Sequence, residues 1–299
     1  MSAASAERKE PAGERPLGAL IEAGTAYLER RGVPFPRVVC ELLAGRLLGC
    51  PRLDLQLRLQ RPVGTARAAA LRRGLARAAD GEPVQYVLGE WAFRGLTLAT
   101  DRRALIPRPE TEQLVDLVLA AADLWADTAP LIVDVGTGSG CIALSLARER
   151  PQARLVATDI SAAALELARA NAARCGLAAR VEFREQAGCG AFLAGSIDAV
   201  VSNPPYIASG VVPTLERHIR EHEPREALDG GPDGLVCLRA ITRDAALVLK
   251  PGGHLFFEIG DDQGAAVRDI LETHGFADIA VTADWAGRTR FAAARMRGL

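Results

Sequence analysis

Lysine is almost missing from this 299-residue chain: Lys9 and Lys250 are the only two among 36 basic residues. The rest are arginines, which GC-rich coding explains more simply than function does. An excess of charge of one sign is missing too. The net is −1, so no global basic field marks a nucleic-acid binder. No apolar run approaches the roughly 18 residues of a membrane span. The six cysteines form no Cys-x-x-Cys pair and no zinc spacing, so they read as free thiols of a reducing compartment. The polar residues 1–16, with Glu7, Glu10 and Glu14 among the basic ones, do not read as a signal peptide; a disordered tail is expected there.

What is present is an ordinary globular composition, 49% hydrophobic and 24% charged, on a chain long enough for two domains. Residues 1–85 carry fourteen basic and nine acidic side chains, a net of +5, which leaves −6 for the remainder. A solvated helix surface explains the basic amino-terminal part more simply than an acidic partner or RNA does.

Apolar spacing predicts helices over residues 17–31, 36–49 and 64–79, stopped by Gly32 and Pro34, by Pro51, and by Asp80-Gly81. Residues 17–83 therefore read as a small helical bundle without a catalytic constellation. Residues 84–105 change character: Trp91, Phe93, Leu96 and Leu98 flank a turn at Arg94-Gly95 and predict a β-hairpin connector. Pro109 fits the first turn of a further helix, with acids early and Leu114, Val115, Leu117 and Val118 after.

Residues 106–299 form the expected main domain. Strands are predicted at 131–135, 154–158, 180–184, 197–202, 253–258, 278–283 and 289–294. Helices are predicted at 139–150, 161–175, 235–249 and 261–274. That alternation gives an α/β fold, a Rossmann-like doubly wound sheet. The short turn between the last two strands makes them antiparallel.

Gly136-Thr137-Gly138-Ser139-Gly140 follows the first of those strands. Glycines let a backbone turn sharply and approach a ligand closely. Cys141 breaks the dinucleotide pattern Gly-x-Gly-x-x-Gly. Asp159, at the end of the next strand, is placed to accept ribose hydroxyls. The acid suits either cofactor; the loop favours S-adenosylmethionine over a nicotinamide.

Asn203-Pro204-Pro205-Tyr206 ends the apolar strand 197–202, where open α/β sheets place their chemistry. Two prolines fix φ and remove two N–H donors. Acceptors remain: the Asn203 side-chain oxygen and the carbonyls beside it. They suit an –NH₂ group on a planar, weakly nucleophilic nitrogen.

Four segments stand in order: residues 81–86 (Gly-Glu-Pro-Val-Gln-Tyr), 106–112 (Ile-Pro-Arg-Pro-Glu-Thr-Glu), 134–140 and 203–206. Together with residues 223–228, 249–253 and 258–260 they resemble the release-factor glutamine methyltransferases, the HemK/PrmC family. The resemblance covers nearly all of the chain after residue 16. It implies a class I S-adenosylmethionine-dependent methyltransferase fold, whose last strand is antiparallel. It implies methyl transfer to the glutamine side-chain nitrogen in the Gly-Gly-Gln motif of class I peptide release factors, with the helical bundle helping to hold that protein. On this reading Asn203, Pro204 and Tyr206 are catalytic. Pro205 and Phe93 join them in binding substrate. Gly136, Thr137, Gly138, Ser139, Gly140, Asp159, Gly188 and Asn203 hold the cofactor. A monomer in a bacterial cytoplasm is expected, with no metal, membrane or direct DNA partner.

One departure stands out. The family places Asp and a bulky residue where this chain has Ala187 and Gly188, so the acidic adenine contact is missing, with Glu185 or Gln186 as stand-ins. Two alternatives use the same residues: a DNA or RNA adenine amino-methyltransferase, and a degenerate adaptor without catalysis. His218-Ile219-Arg220-Glu221-His222 matches an inverted zinc-protease pattern but reads better as a solvated loop.

Overall fold

The computed structural model describes residues 14–126 and 128–298. The chain divides into two compact units between Leu88 and Gly89. Most of the expected tail lies outside the described residues. Its end does not: Arg15–Pro16 (β1) pairs antiparallel with Pro62–Val63 (β2).

The first unit holds helices α1 (Leu17–Arg30), α2 (Pro36–Leu48), α3 (Thr65–Ala79) and α4 (Val84–Leu88), with a 3₁₀ segment at Arg52–Arg58. Leu17, Ile21 and Leu28 lie on one face of α1 and are buried with Leu43, Leu55, Leu71 and Leu75. The helices approach closely at Gly24, where a Cβ would stand 2.6 Å from Cys40 Sγ and 2.9 Å from Leu75. α2 begins on Pro36 and ends at Gly49, left-handed at φ 64°, the usual asymmetry of helix ends. Residues 84–88, expected in the hairpin, are helical instead. The N–H groups of Tyr86 and Val87 both bond the Pro83 carbonyl, and a helical turn buries Tyr86 while setting Val84, Val87 and Leu88 against the bundle core.

The second unit opens on the hairpin β3 (Glu90–Phe93) and β4 (Leu96–Ala99). Both turn residues, Arg94 and Gly95, have positive φ, as a two-residue hairpin loop requires. The strained Arg94 is held by its side chain, which bonds Glu149 at 2.7 Å and Asp116 at 2.6 Å. α5 (Pro109–Ala120) follows. Then come β5 (Leu131–Val135), α6 (Cys141–Glu149), β6 (Arg154–Asp159), α7 (Ala162–Arg174), β7 (Val181–Glu185), β8 (Ile197–Ser202), α8 (Arg217–Arg220), α9 (Val236–Val248), β9 (Leu249–Glu258), α10 (Gly264–Thr273), β10 (Phe276–Ala283) and β11 (Thr289–Met296).

Seven strands form one sheet in the order β10-β11-β9-β8-β5-β6-β7. β7 to β9 run parallel, and β11 lies antiparallel between β9 and β10. Successive residues of a strand face opposite sides, and both sides are covered. Ile132, Leu155 and Phe256 join the core shared with the hairpin, α5 and α6. Val133, Val156 and Phe257 join the core shared with α9 and α10. Burial on both faces is why the strands read as continuous apolar runs. The sheet order reverses at β5, whose neighbours are β8 and β6, so the carboxyl ends of these three strands form the cleft-bearing edge.

Candidate active site

Register brings the separate motifs together. Val135 pairs with Thr158 of β6 and with Ser202 of β8. The Gly-rich turn, Asp159 and Asn203 therefore leave three adjacent strand ends, each about 5 Å from the next. The Ser202 hydroxyl donates to the Val135 carbonyl at 2.7 Å and ties the two central ends.

The turn itself is left-handed at Gly136, Gly138 and Gly140. At Gly136, φ is 71° and nothing lies within 4 Å of where a Cβ would stand, so the backbone is bare to an incoming ligand. Thr137 and Ser139 are buried between the glycines. The Thr137 hydroxyl donates to Asp134 Oδ2 at 2.7 Å, and the Ala143 N–H reaches the same oxygen at 3.1 Å. Asp134 Oδ1 is buried without a partner among the described residues. Burial pushes the Asp134 carboxyl up to about 7, against the opposing pull of those two hydrogen bonds.

Asp159 is preset as an acceptor. Its Oδ2 takes the Gly138 N–H and its Oδ1 takes the Ser161 N–H, each at 2.9 Å. Each oxygen keeps a further lone pair for a hydroxyl. A bare turn beside a carboxylate with lone pairs to spare fits an adenosyl sulfonium cofactor.

Gly188 lies in the expected segment, at φ 64°, and its carbonyl accepts from the Thr158 hydroxyl at 3.2 Å. The space a side chain would need is taken by Asp244 of α9, whose Oδ2 would be 2.7 Å from a Cβ at 188. Glu185 is exposed, and the Gln186 amide turns back to the Gly188 carbonyl at 3.1 Å. Cys189 is fully buried, and burial pushes its thiol up to about 12, so it is an inert core thiol.

At the end of β8, Pro204 is buried while Asn203, Pro205 and Tyr206 are partly exposed. Asn203 Nδ2 donates to Thr111 Oγ1 at 3.0 Å. Its Oδ1 meets no donor among the described residues. Thr111 Oγ1 donates in turn to Glu258 Oε2 at 2.7 Å. The other Glu258 oxygen accepts from the Tyr206 hydroxyl at 3.2 Å. Arg290 donates to that hydroxyl at 3.3 Å and to the Ile259 carbonyl at 3.0 Å. Glu258 is 1% exposed and Thr111 2%. Burial raises the Glu258 carboxyl above its ordinary range, while Thr111, Arg290 and Tyr206 oppose the rise. The Tyr206 phenol is also raised, by burial first and by Glu258 second. Gln263 holds the turn beyond, its amide donating to the Tyr206 carbonyl at 2.9 Å. Buried Glu223 secures the loop in front: it accepts from the Ile106 N–H at 3.1 Å and pairs with Arg108.

Phe93 is not part of this group. It is 1% exposed and belongs to the core with Leu98, Leu114 and Val118. The hairpin packs its ring inward, so no face is left for a substrate. Among the described residues no cluster of His, Cys, Asp and Glu could hold a metal. His218 instead lies near Glu216, at 3.3 Å. Sequence reasoning assigned no role to Thr111, Glu258, Glu223, Gln263 or Arg290. The first three lie in segments that carry the family resemblance, which was the available signal.

Two family models match the chain: "PrmC N-terminal domain" over residues 19–89 and "Methyltransferase small domain" over residues 117–231. The release factor glutamine methyltransferase of Chlorobaculum tepidum is 41% identical over 89% of this chain and 92% of its own. That of Moorella thermoacetica is 44% identical over 87% and 91%. The chain belongs to the release factor glutamine methyltransferase family. Among solved structures, the hMettl16 catalytic domain, in complex with the MAT2A 3′UTR hairpin 6, shares the fold at a TM-score of 0.52 and 18% identity, over 80% of this chain and 84% of that one. The family's methyltransferase fold with an antiparallel last strand is the architecture seen here. No described helix is long and apolar enough to cross a membrane.

Proposed function

We propose that this chain transfers a methyl group from S-adenosylmethionine to the side-chain amide nitrogen of the Gly-Gly-Gln glutamine in class I peptide release factors. The activity in the names of its relatives, 38–44% identical across nearly their whole lengths, supports the reading. The carrying observation is Asn203: its N–H end is bonded inward to Thr111, which leaves Oδ1 as the outward group at the strand end beside the Gly-rich turn.

S-adenosylmethionine supplies an electrophilic sulfonium methyl. The turn at residues 136–140 would hold it closely, and Asp159 would accept its ribose hydroxyls. An amide nitrogen is a poor nucleophile because its lone pair is delocalised into the carbonyl. Asn203 Oδ1 and the Pro204 carbonyl accept the two N–H bonds of the substrate amide, which fixes its plane and adds electron density to nitrogen. The N–C bond forms as the methyl–sulfur bond breaks, the electron pair staying on the departing thioether, and one amide proton then leaves nitrogen to solvent. Tyr206 stacks on that plane. Positioning of this kind contributes up to about 7–11 kcal/mol in favourable cases. The helical unit recruits the protein substrate. A bacterial cytoplasm suits the six free cysteines, and the net charge of −1 offers no global basic field for direct DNA binding.

The test is peptide-mapping mass spectrometry of a class I release factor incubated with this chain and S-adenosylmethionine. One added methyl on the Gly-Gly-Gln glutamine is expected. Cofactor binding without that methyl would overturn the substrate assignment and favour nucleic-acid amino groups. Absence of both would favour a non-catalytic adaptor.

A further inference from the structure

The chain of bonds behind Asn203 has a direction. A hydroxyl owns one proton. Both oxygens of Glu258 face hydroxyl donors, Thr111 at 2.7 Å and Tyr206 at 3.2 Å. In its ionised form, which Thr111, Arg290 and Tyr206 favour against the cost of burial, Glu258 can only accept. The Thr111 proton is thereby committed to Glu258, so Thr111 Oγ1 can only accept from Asn203. A flipped Asn203 amide would set Oδ1 against that oxygen with no proton between them. The two ends of an amide are otherwise nearly alike in shape, and here the carboxylate distinguishes them.

We propose that Thr111 and Glu258 are positioning residues that fix which end of the Asn203 amide faces the substrate, and that Glu258 holds Tyr206 at the same time. One buried carboxylate on β9 then organises two members of the tetrapeptide, through α5 on one side and directly on the other. Arg290 stands behind the Tyr206 hydroxyl and Glu110 is the other acid that Glu258 feels. The proposal rests on the reading of Asn203 as the acceptor for a substrate –NH₂.

The chain contains two asparagines, Asn171 and Asn203, so asparagine-selective ¹⁵N labelling of the full chain gives two side-chain –NH₂ groups, each seen as a pair of N–H signals. Asn171 is the internal control: it is fully buried, and its Nδ2 donates to the Ser139 carbonyl at 2.9 Å. Expected is an exchange-protected Asn203 amide proton in the wild type that Thr111→Val exposes, with Asn171 unchanged. Methyl transfer by Thr111→Val should fall roughly 10- to 100-fold in kcat, and Thr111→Ser, which keeps the hydroxyl, should restore both signals. A purely structural role for the methyl-bearing side chain predicts the reverse order, with valine tolerated better than serine. If Thr111→Val does not fold, Glu258→Gln carries the same readouts at constant volume: a glutamine –NH₂ facing Thr111 frees the hydroxyl proton for Oδ1 and admits the flipped amide. Unchanged Asn203 protection, or unchanged kcat after protection is lost, overturns the proposal. A wild type that leaves the release factor unmethylated overturns the functional reading instead, and amide exchange still decides the positioning.

Discussion

Replacing Asn203 by alanine separates holding the cofactor from orienting the substrate. In the fold the substitution removes one hydrogen bond, Nδ2 to Thr111 at 3.0 Å. Thr111 keeps its bond to Glu258, so the stability cost is that of one neutral bond at a partly exposed position, about 0.5–1.5 kcal/mol. The catalytic cost is larger. In the ground state the substrate N–H bonded to Oδ1 is neutral. As nitrogen forms its bond to the methyl carbon it gains positive charge, and the same bond becomes charge-assisted. Charged bonds are worth about 1.5–3 kcal/mol against about 0.5–1.5 for neutral ones. The difference, about 1–1.5 kcal/mol, slows transfer about 5- to 13-fold. Lost orientation multiplies this, and removal of one preorganised transition-state partner in other enzymes costs about 10²–10³. We therefore expect kcat to fall between about 10-fold and 10³-fold. S-adenosylmethionine affinity, by calorimetry, should fall no more than about tenfold, one hydrogen bond's worth. The assay is single-turnover methylation of a release factor with saturating cofactor. A folded Asn203→Ala protein that retains the wild-type rate would refute the acceptor role.

Three further outcomes follow from the site. Asp159→Ala removes the diol acceptor, and S-adenosylmethionine binding should weaken about 10- to 150-fold by calorimetry. Asp134→Asn replaces a carboxyl whose pKa is raised from 3.8 to about 7 in the fold; the stability this group contributes is fully present below about 4 and lost as pH rises through about 7. The asparagine, able to serve Thr137 and Ala143 through its oxygen, should therefore match the wild type near pH 4 and gain up to a few kcal/mol near pH 8 in denaturant titrations; a loss at pH 8 would refute the burial argument. Gly188→Ala puts a Cβ 2.7 Å from Asp244 Oδ2 at a left-handed φ, which should cost roughly 1–3 kcal/mol; pairing it with Asp244→Ala should recover the steric part but not the backbone part in thermal melts.

Reading the sequence placed the sheet strands to within a few residues, and β9 shows where such reading stops. The sequence pattern ends a helix at Leu249 and begins the strand at Gly253, with Lys250-Pro251-Gly252 between them, yet the strand starts at Leu249 because that residue pairs with Ile197 and Lys250 bonds Asp198 at 2.6 Å. The pairing partner lies about fifty positions away, where no local pattern reports it. Phe93 failed for a related reason. An aromatic beside a hairpin turn has the same local pattern whether its ring lines a pocket or fills a core, and here the packing of the hairpin against α5 and α6 chose the core.

The site divides along the same line. Residues 136–140 and 203–206 are contiguous, and their chemistry follows from local backbone constraints: glycines that turn, prolines that withhold donors. Thr111 and Glu258 are as close to Asn203 in space but stand 92 positions before it and 55 after. Threonine in a first helical turn and glutamate at a strand end are individually unremarkable. What makes them a device is that α5 and β9 bring one hydroxyl and one buried carboxylate into line behind the amide. That alignment also accounts for an otherwise costly feature, an acid 1% exposed at the heart of the sheet edge. Burying it is costly, and two hydroxyl donors with Arg290 beyond offset part of that cost. A glutamine there would be cheaper to bury but could point either end at Thr111. Only an ionised, acceptor-only Glu258 leaves Asn203 a single orientation, so on the proposed reading the stability given up at Glu258 has a catalytic counterpart at the outward oxygen of Asn203.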